Sequence, residues 1–179
     1  MRVDYYEAGR QVALPVDYSD RFLPYKVDWV SEINYQYTDG NFAGSGKSKN
    51  VLAVFEGLLR FPSEGTWTMY TASDDGSKLY VDGQLVVNNN GIHNTMVEKS
   101  GTIVVDKSAL GKWIRLEYFN DVGKNGLILR WEGPNRPKTV IRGWNFDPVG
   151  YLGTAAFYFI LPVGTTPPFL VRVYYLAIA

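Results

Sequence analysis

Between residues 51 and 134 the chain is written in a period of two. Short runs such as TWTMYTAS, KLYVDGQLVV, KWIRLEYF and LILRW alternate apolar with polar side chains, GTIVV is another strand, and glycine, proline, asparagine and aspartate punctuate the gaps. Successive side chains of a strand face opposite ways, so such runs bury one face and cannot satisfy the wider spacing of a helix. Trp67 and Met69 fall on one face, as do Leu79 with Val81, Leu85 with Val87, and Leu127 with Leu129 and Trp131. Ile114, Leu116 and Tyr118 point one way, Arg115 and Glu117 the other. PSEG (62–65) is turn chemistry, and Asp82-Gly83 between two β-rich runs is the signal for a two-residue hairpin turn with positive φ. NNNG (88–91) and NDVGKNG (120–126) read as loops. Closely spaced strands of this kind predict an all-β chain, an antiparallel sandwich or barrel. VDYYEAG and EINYQYTDGNF, within the first 50 residues, read as edge strands and long loops.

A length of 179 residues suits one domain, or one domain with an appendage. The expected division is a sandwich over residues 1–149 and an apolar extension over 150–179. That extension has no acidic residue and only Arg172 as a base, so a hairpin on its own domain or a strand docked on a protein partner should cover it. Net charge is zero with a pI near 6.6, which argues against a nucleic-acid partner. Cysteine is absent, so disulfides, thiolate nucleophiles and sulfur-bound metals are excluded. MRVDYYEAGR lacks the apolar centre of a signal peptide, and no run reaches the roughly 18–20 apolar residues of a membrane span.

Few constellations could carry chemistry. GSGKSKN (44–50) has Asn41 where a phosphate loop needs its first glycine, so it reads as a solvated loop. His93 is the single histidine, and no G-x-S-x-G accompanies it; hydrogen bonding within its own loop is the expectation. Asp74 and Asp75 stand side by side at the end of a strand, where neighbours point to opposite faces and cannot act as an acid/base pair across one bond. Their carboxylates converge only if the intervening peptide is bent or cis, and the resulting repulsion is relieved by a hard divalent cation with further oxygen ligands. NDVGKNG supplies candidates in the side chains of Asn120, Asp121 and Asn125 and the carbonyls near Gly123 and Gly126. The competing reading is an Asx-turn with a capping aspartate.

FEGLLRFPSEGTWTMYTASDDGSKLYVDGQLVVNNNGIHN, then GTIVV, then KWIRLEYFNDVGKNGLILRWEGP, resembles the PA-fourteen domain family, named after anthrax protective antigen. The resemblance covers most of residues 3–148 and leaves 150–179 unmatched. It implies an antiparallel β-sandwich with jelly-roll-like topology and, from the family's adhesins, a non-enzymatic carbohydrate-binding (lectin) module at the cell surface. In lectin members the paired aspartates flank a cis peptide and hold Ca2+, whose shell the sugar hydroxyls complete. Carried over, Asp74 and Asp75 become the metal pair, with Asn125 as the side-chain ligand from the second loop. Asn120, Asp121, Lys124, Asn125 and Gly126 of that loop become sugar contacts together with the aspartates. The alternative within the same family is a structural or assembly subunit that uses the sandwich as a brick and docks its extension on a partner.

Overall fold

The computed structural model describes residues 1–7, 13–14 and 23–146. The expected boundary at 149 and the extension beyond it lie outside the described residues. The strands are β1 (Arg2–Glu7), β2 (Lys26–Trp29), β3 (Asn34–Thr38), β4 (Val51–Arg60), β5 (Gly65–Asp74) and β6 (Ser77–Val81). They continue as β7 (Gln84–Asn89), β8 (Val97–Val105), β9 (Gly111–Asn120), β10 (Asn125–Gly133) and β11 (Arg136–Val140). One sheet runs β2-β1-β4-β9-β6-β7; the other runs β11-β10-β5-β8, with β3 also paired to β10. Every pairing is antiparallel, which makes the described part an all-β sandwich as the period of two predicts.

The alternation translates into burial. Trp67, Met69, Leu79, Ile114, Leu116, Tyr118, Leu127 and Leu129 are fully enclosed between the sheets. Each such side chain contributes about 1.5–3 kcal/mol through removal from water. Trp67 packs 4.8 Å from Trp131 and 5.3 Å from Phe61, centroid to centroid. The outer face of the six-stranded sheet carries a second, smaller apolar cluster of Tyr6, Leu14, Leu52, Val54 and Phe119.

The Asp82-Gly83 turn forms as expected, with φ of +46° and +80°. The strand after it departs from simple alternation. Leu79 pairs with Val87 but Tyr80 pairs with Leu85, so Val86 is the extra residue of a β-bulge. Val86 and Val87 both pack inward, and Leu85 is turned out to solvent. Gly101 accommodates the bulge, because a Cβ there would collide with the Val86 carbonyl.

The topology matters for function. Of the passages between sheets, those at β3–β4, β5–β6, β7–β8 and β9–β10 are put by the registers at the same end of the sandwich. The β6–β7 hairpin turn lies at the opposite end.

Candidate functional site at the crossing end

Strand pairing brings the crossings together. Gly126 is opposite Asp74, Tyr118 is opposite Ser77, and Asn120 is opposite Val51. The strands are buried on both faces here, yet the enclosed residues are polar: Ser73, Asp74, Asp75, Ser77, Asn89, Asn120, Asp121 and Asn125 are all at most 5% exposed. Buried polar groups need partners, and most are traceable. The hydroxyls of Ser73, Ser77 and Thr71 form a chain at 2.8 and 3.1 Å. Asn89 Nδ2 donates to Thr71 O, Ser73 Oγ and Val97 O.

Asp74 and Asp75 are joined by a cis peptide bond, one of the two geometries that let their carboxylates converge. The two differ sharply in environment. Asp75 accepts the backbone N–H of His93 on Oδ1 and that of Asp121 on Oδ2, each at 2.8 Å. It thereby ties the β7–β8 and β9–β10 crossings to its own. The Asp74 backbone carbonyl accepts the Tyr118 hydroxyl at 2.7 Å, whereas its Oδ1 is buried with no hydrogen-bond partner. Burial, and then the charge of Asp75, push the Asp74 carboxyl up to about 6, with a hydrogen bond from Tyr37 working against the rise. Gly76 is obligatory, since a Cβ there would enter the Phe119 ring and the Gly91 backbone.

The asparagines add oriented oxygens. Asn125 Nδ2 donates to the carbonyls of Gly40 (2.7 Å) and Ser48 (3.2 Å), and Asn120 Nδ2 donates to Ser48 at 3.0 Å. Carbonyls only accept, so the amide orientation is chemically forced. Oδ1 of Asn120 and Oδ1 of Asn125 are left buried without a donor. Leaving a buried acceptor unmatched costs about 1–3 kcal/mol, and the amide oxygens of Asn89, Asn120 and Asn125 plus one carboxylate oxygen of Asp74 are so left at one end of the sandwich. A hard cation with oxygen ligands is the species that fits such a donor set. No group of three or more His, Cys, Asp or Glu is arranged around a metal among the described residues, so the fit depends on amide oxygens as much as on charge.

The remaining expected contacts fall nearby. Lys124 lies on the rim, its Nζ 3.9 Å from Asp39 and 5.1 Å from the Tyr37 ring centroid. Asp121 is buried next to the Asp75 carboxylate that accepts its N–H. Gly126 sits within β10, where a Cβ would come 2.6 Å from the Met96 sulfur. The crossing after β9 is shorter than the sequence suggests: Asn120 ends β9 and Asn125 starts β10, leaving 121–124 between them. Asn88 and Asn89 belong to β7 rather than to a loop. His93 does not bond within its own loop; it reaches Asp75 through its N–H and the Ser73 carbonyl through Nδ1, at 3.0 Å. GSGKSKN is also no freely solvated loop. Ser45 is buried, Ser48 receives both asparagine amides, and Asn50 N–H donates to Asp121 O at 2.8 Å. Tyr118, Ser48, Gly40 and Tyr37 are the site's contributors that sequence reasoning missed. The available signal for Tyr118 was its place on the inward face with Ile114 and Leu116, where it alone carries a hydroxyl.

Comparison with known proteins gives a consistent picture. The family model for the PA14 domain matches residues 30–142. No curated protein matches the chain. Among solved structures, an anti-sigma factor domain-containing protein is similar with a TM-score of 0.68 and 23% identity over 82% of this chain. This chain spans only 47% of that one, about half its length. The PA14 sugar-binding domain from an RTX adhesin has a TM-score of 0.64 and 17% identity, over 81% of this chain and 96% of that one. The Epithelial Adhesin 6 A domain from Candida glabrata, in complex with Galb1-3GlcNAc, has a TM-score of 0.62 and 11% identity, over 81% and 84%. At these identities the structural likeness establishes the sandwich fold.

Proposed function

Because the chain belongs to the PA14 domain family, we propose that it is a calcium-dependent carbohydrate-binding module of the adhesin type, acting outside the cell or at its surface and without catalysis of its own. The observation that carries the reading is the set of buried oxygens without donors at the crossing end. One carboxylate oxygen of Asp74 and the amide oxygens of Asn120 and Asn125 are buried without donors beside the Asp75 carboxylate. Adhesin domains with the same fold bind sugars, the Epithelial Adhesin 6 A domain being in complex with Galb1-3GlcNAc.

Asp74, Asp75 and Asn125 would hold Ca2+, with Asn120 and Asp121 next to them. When bound, the cation neutralises the two carboxylates and offers open positions to vicinal sugar hydroxyls. The chain's own residues do the rest. Asp75 holds the crossings through two backbone N–H bonds, Tyr118 fixes the Asp74 backbone, and Ser48 and Gly40 hold the asparagine amides. Lys124 and Tyr37, in contact with each other, would select among sugars. With two or three carboxylates, calcium affinity falls at about 10⁻⁴–10⁻³ M, the range of extracellular modules. The test is calcium titration by calorimetry, followed by a glycan array with and without chelator. An array signal lost on chelation supports the reading, and no calcium-dependent glycan signal overturns it.

A second reading has its own support. The match covers only 47% of the similar anti-sigma factor domain-containing protein, so the fold also occurs as one part of a longer chain. Under that reading residues 150–179 dock on a protein partner, and deleting them abolishes assembly while leaving the sandwich folded. Under the lectin reading the deletion leaves a sugar-binding monomer.

A further inference from the structure

We propose that the outer face of the six-stranded sheet carries a second, calcium-independent binding cleft for a neutral pyranose ring, at the opposite end of β6 from the aspartate pair. A cleft of about 310 Å³ is lined by Tyr80, Gly83, Trp113, Arg115 and Glu117. The register builds it: Tyr80 of β6 lies directly opposite Arg115 of β9, and Trp113, Arg115 and Glu117 share the face opposite to core residues Ile114 and Leu116. Gly83 leaves the hairpin end open, because nothing approaches within 4 Å of where its Cβ would be.

The polar groups in the cleft are built rather than incidental. Arg115 donates through Nη1 to Glu56 Oε1 at 2.7 Å and through Nε to Glu117 Oε1 at 3.0 Å. Glu117 is only 4% exposed, and its Oε2 has no donor among the described residues. Lys78, directly opposite Glu117 in the register, donates instead to the Leu14 carbonyl. Glu117 therefore lines the cleft beside two aromatic side chains, with one buried carboxylate oxygen left unfilled. Ligand class follows by charge. A cation meets the Arg115 guanidinium, and an anion meets Glu56 and Glu117. A neutral ligand with hydroxyl donors and an apolar face meets neither penalty. A pyranose offers hydroxyls to Glu117 and C–H faces to Tyr80 and Trp113, the amphipathic match that aromatic side chains provide.

The site is independent of the aspartate pair, so it is tested in chelator. The probes are methyl pyranosides of glucose, galactose and mannose, followed by two-dimensional NMR of the Trp113 indole and the backbone amides of β6 and β9. Saturable shifts should appear in wild type and persist in Asp74→Asn, with about tenfold weaker binding in Glu117→Gln, the loss of one hydrogen bond to a charged group. Tyr80→Ser, which leaves the Arg115 ion pairs in place, should weaken binding similarly and guards against a folding defect in Glu117→Gln. Absence of chelator-resistant shifts, shifts unchanged in both variants, or a preference for methylammonium over the pyranosides would each overturn the proposal.

Discussion

Asp74→Asn should make the cation-free protein more stable while it removes the response to calcium. The Asp74 carboxyl is pushed from 3.8 to about 6 by burial and by the neighbouring Asp75 charge. Each unit of such a shift corresponds to about 1.4 kcal/mol, so the ionised carboxylate disfavours the fold by at most about 3 kcal/mol at neutral pH. The sign follows from linkage. A carboxyl raised in the folded state is neutral in both states below its unfolded value near 4, and there it carries no penalty. Stability is lost as pH rises through about 6. Asparagine keeps the shape without the charge, so the variant should gain about 1–3 kcal/mol at pH 8, and the gain should fade as pH approaches 4. Wild type, by contrast, should gain about 1.4–2.7 kcal/mol from calcium present at ten to a hundred times its dissociation constant. The assay is urea unfolding followed by tryptophan fluorescence, with chelator and with calcium, for both proteins across pH 4–8. A chelated variant less stable than chelated wild type at pH 8, or a calcium shift of equal size in both, would refute the reasoning.

Asp75→Asn should behave in the opposite way. It sets an NH2 group against the backbone N–H of either His93 or Asp121, and should destabilise by about 2–4 kcal/mol even in chelator, read as a fall in urea midpoint. Tyr118→Phe removes the buried hydroxyl bonded to Asp74 O and should cost about 1–2 kcal/mol, with calcium affinity measured by calorimetry falling in parallel. Gly101→Ala drives a methyl into the Val86 carbonyl of the bulge and should cost at least about 1–3 kcal/mol in the same unfolding assay without touching calcium affinity. Asn125→Leu should abolish calcium binding, because it removes both the amide oxygen and the donors held by Gly40 and Ser48; retention of wild-type affinity would exclude Asn125 as a ligand.

The strands were legible because their signal is local. A period of two and a turn residue can be read within ten positions, and Trp67, Met69, Ile114, Leu116, Leu127 and Leu129 all face inward as that period requires. Leu85 broke the pattern because a bulge depends on the partner strand, on space made by Gly101 in a third strand, and not on its own sequence. The same division runs through the site. Asp74 and Asp75 stood out as two adjacent charges ending a strand, and the asparagines stood out as oxygens in a glycine-rich crossing.

What turned those residues into a site came from far along the chain. The carbonyls that fix the Asn120 and Asn125 amides lie 72 to 85 residues away, and the N–H groups on Asp75 come from residues 18 and 46 positions away. By itself the sequence determined most of the strands, most of their inward faces and the positions of the acidic pair, because side-chain alternation and turn preference are properties of neighbouring residues. Only the tertiary structure decided which of those oxygens are left without donors. That outcome depends on four sheet crossings meeting at one end of a sandwich, where each amide is oriented by a carbonyl that no local pattern can specify.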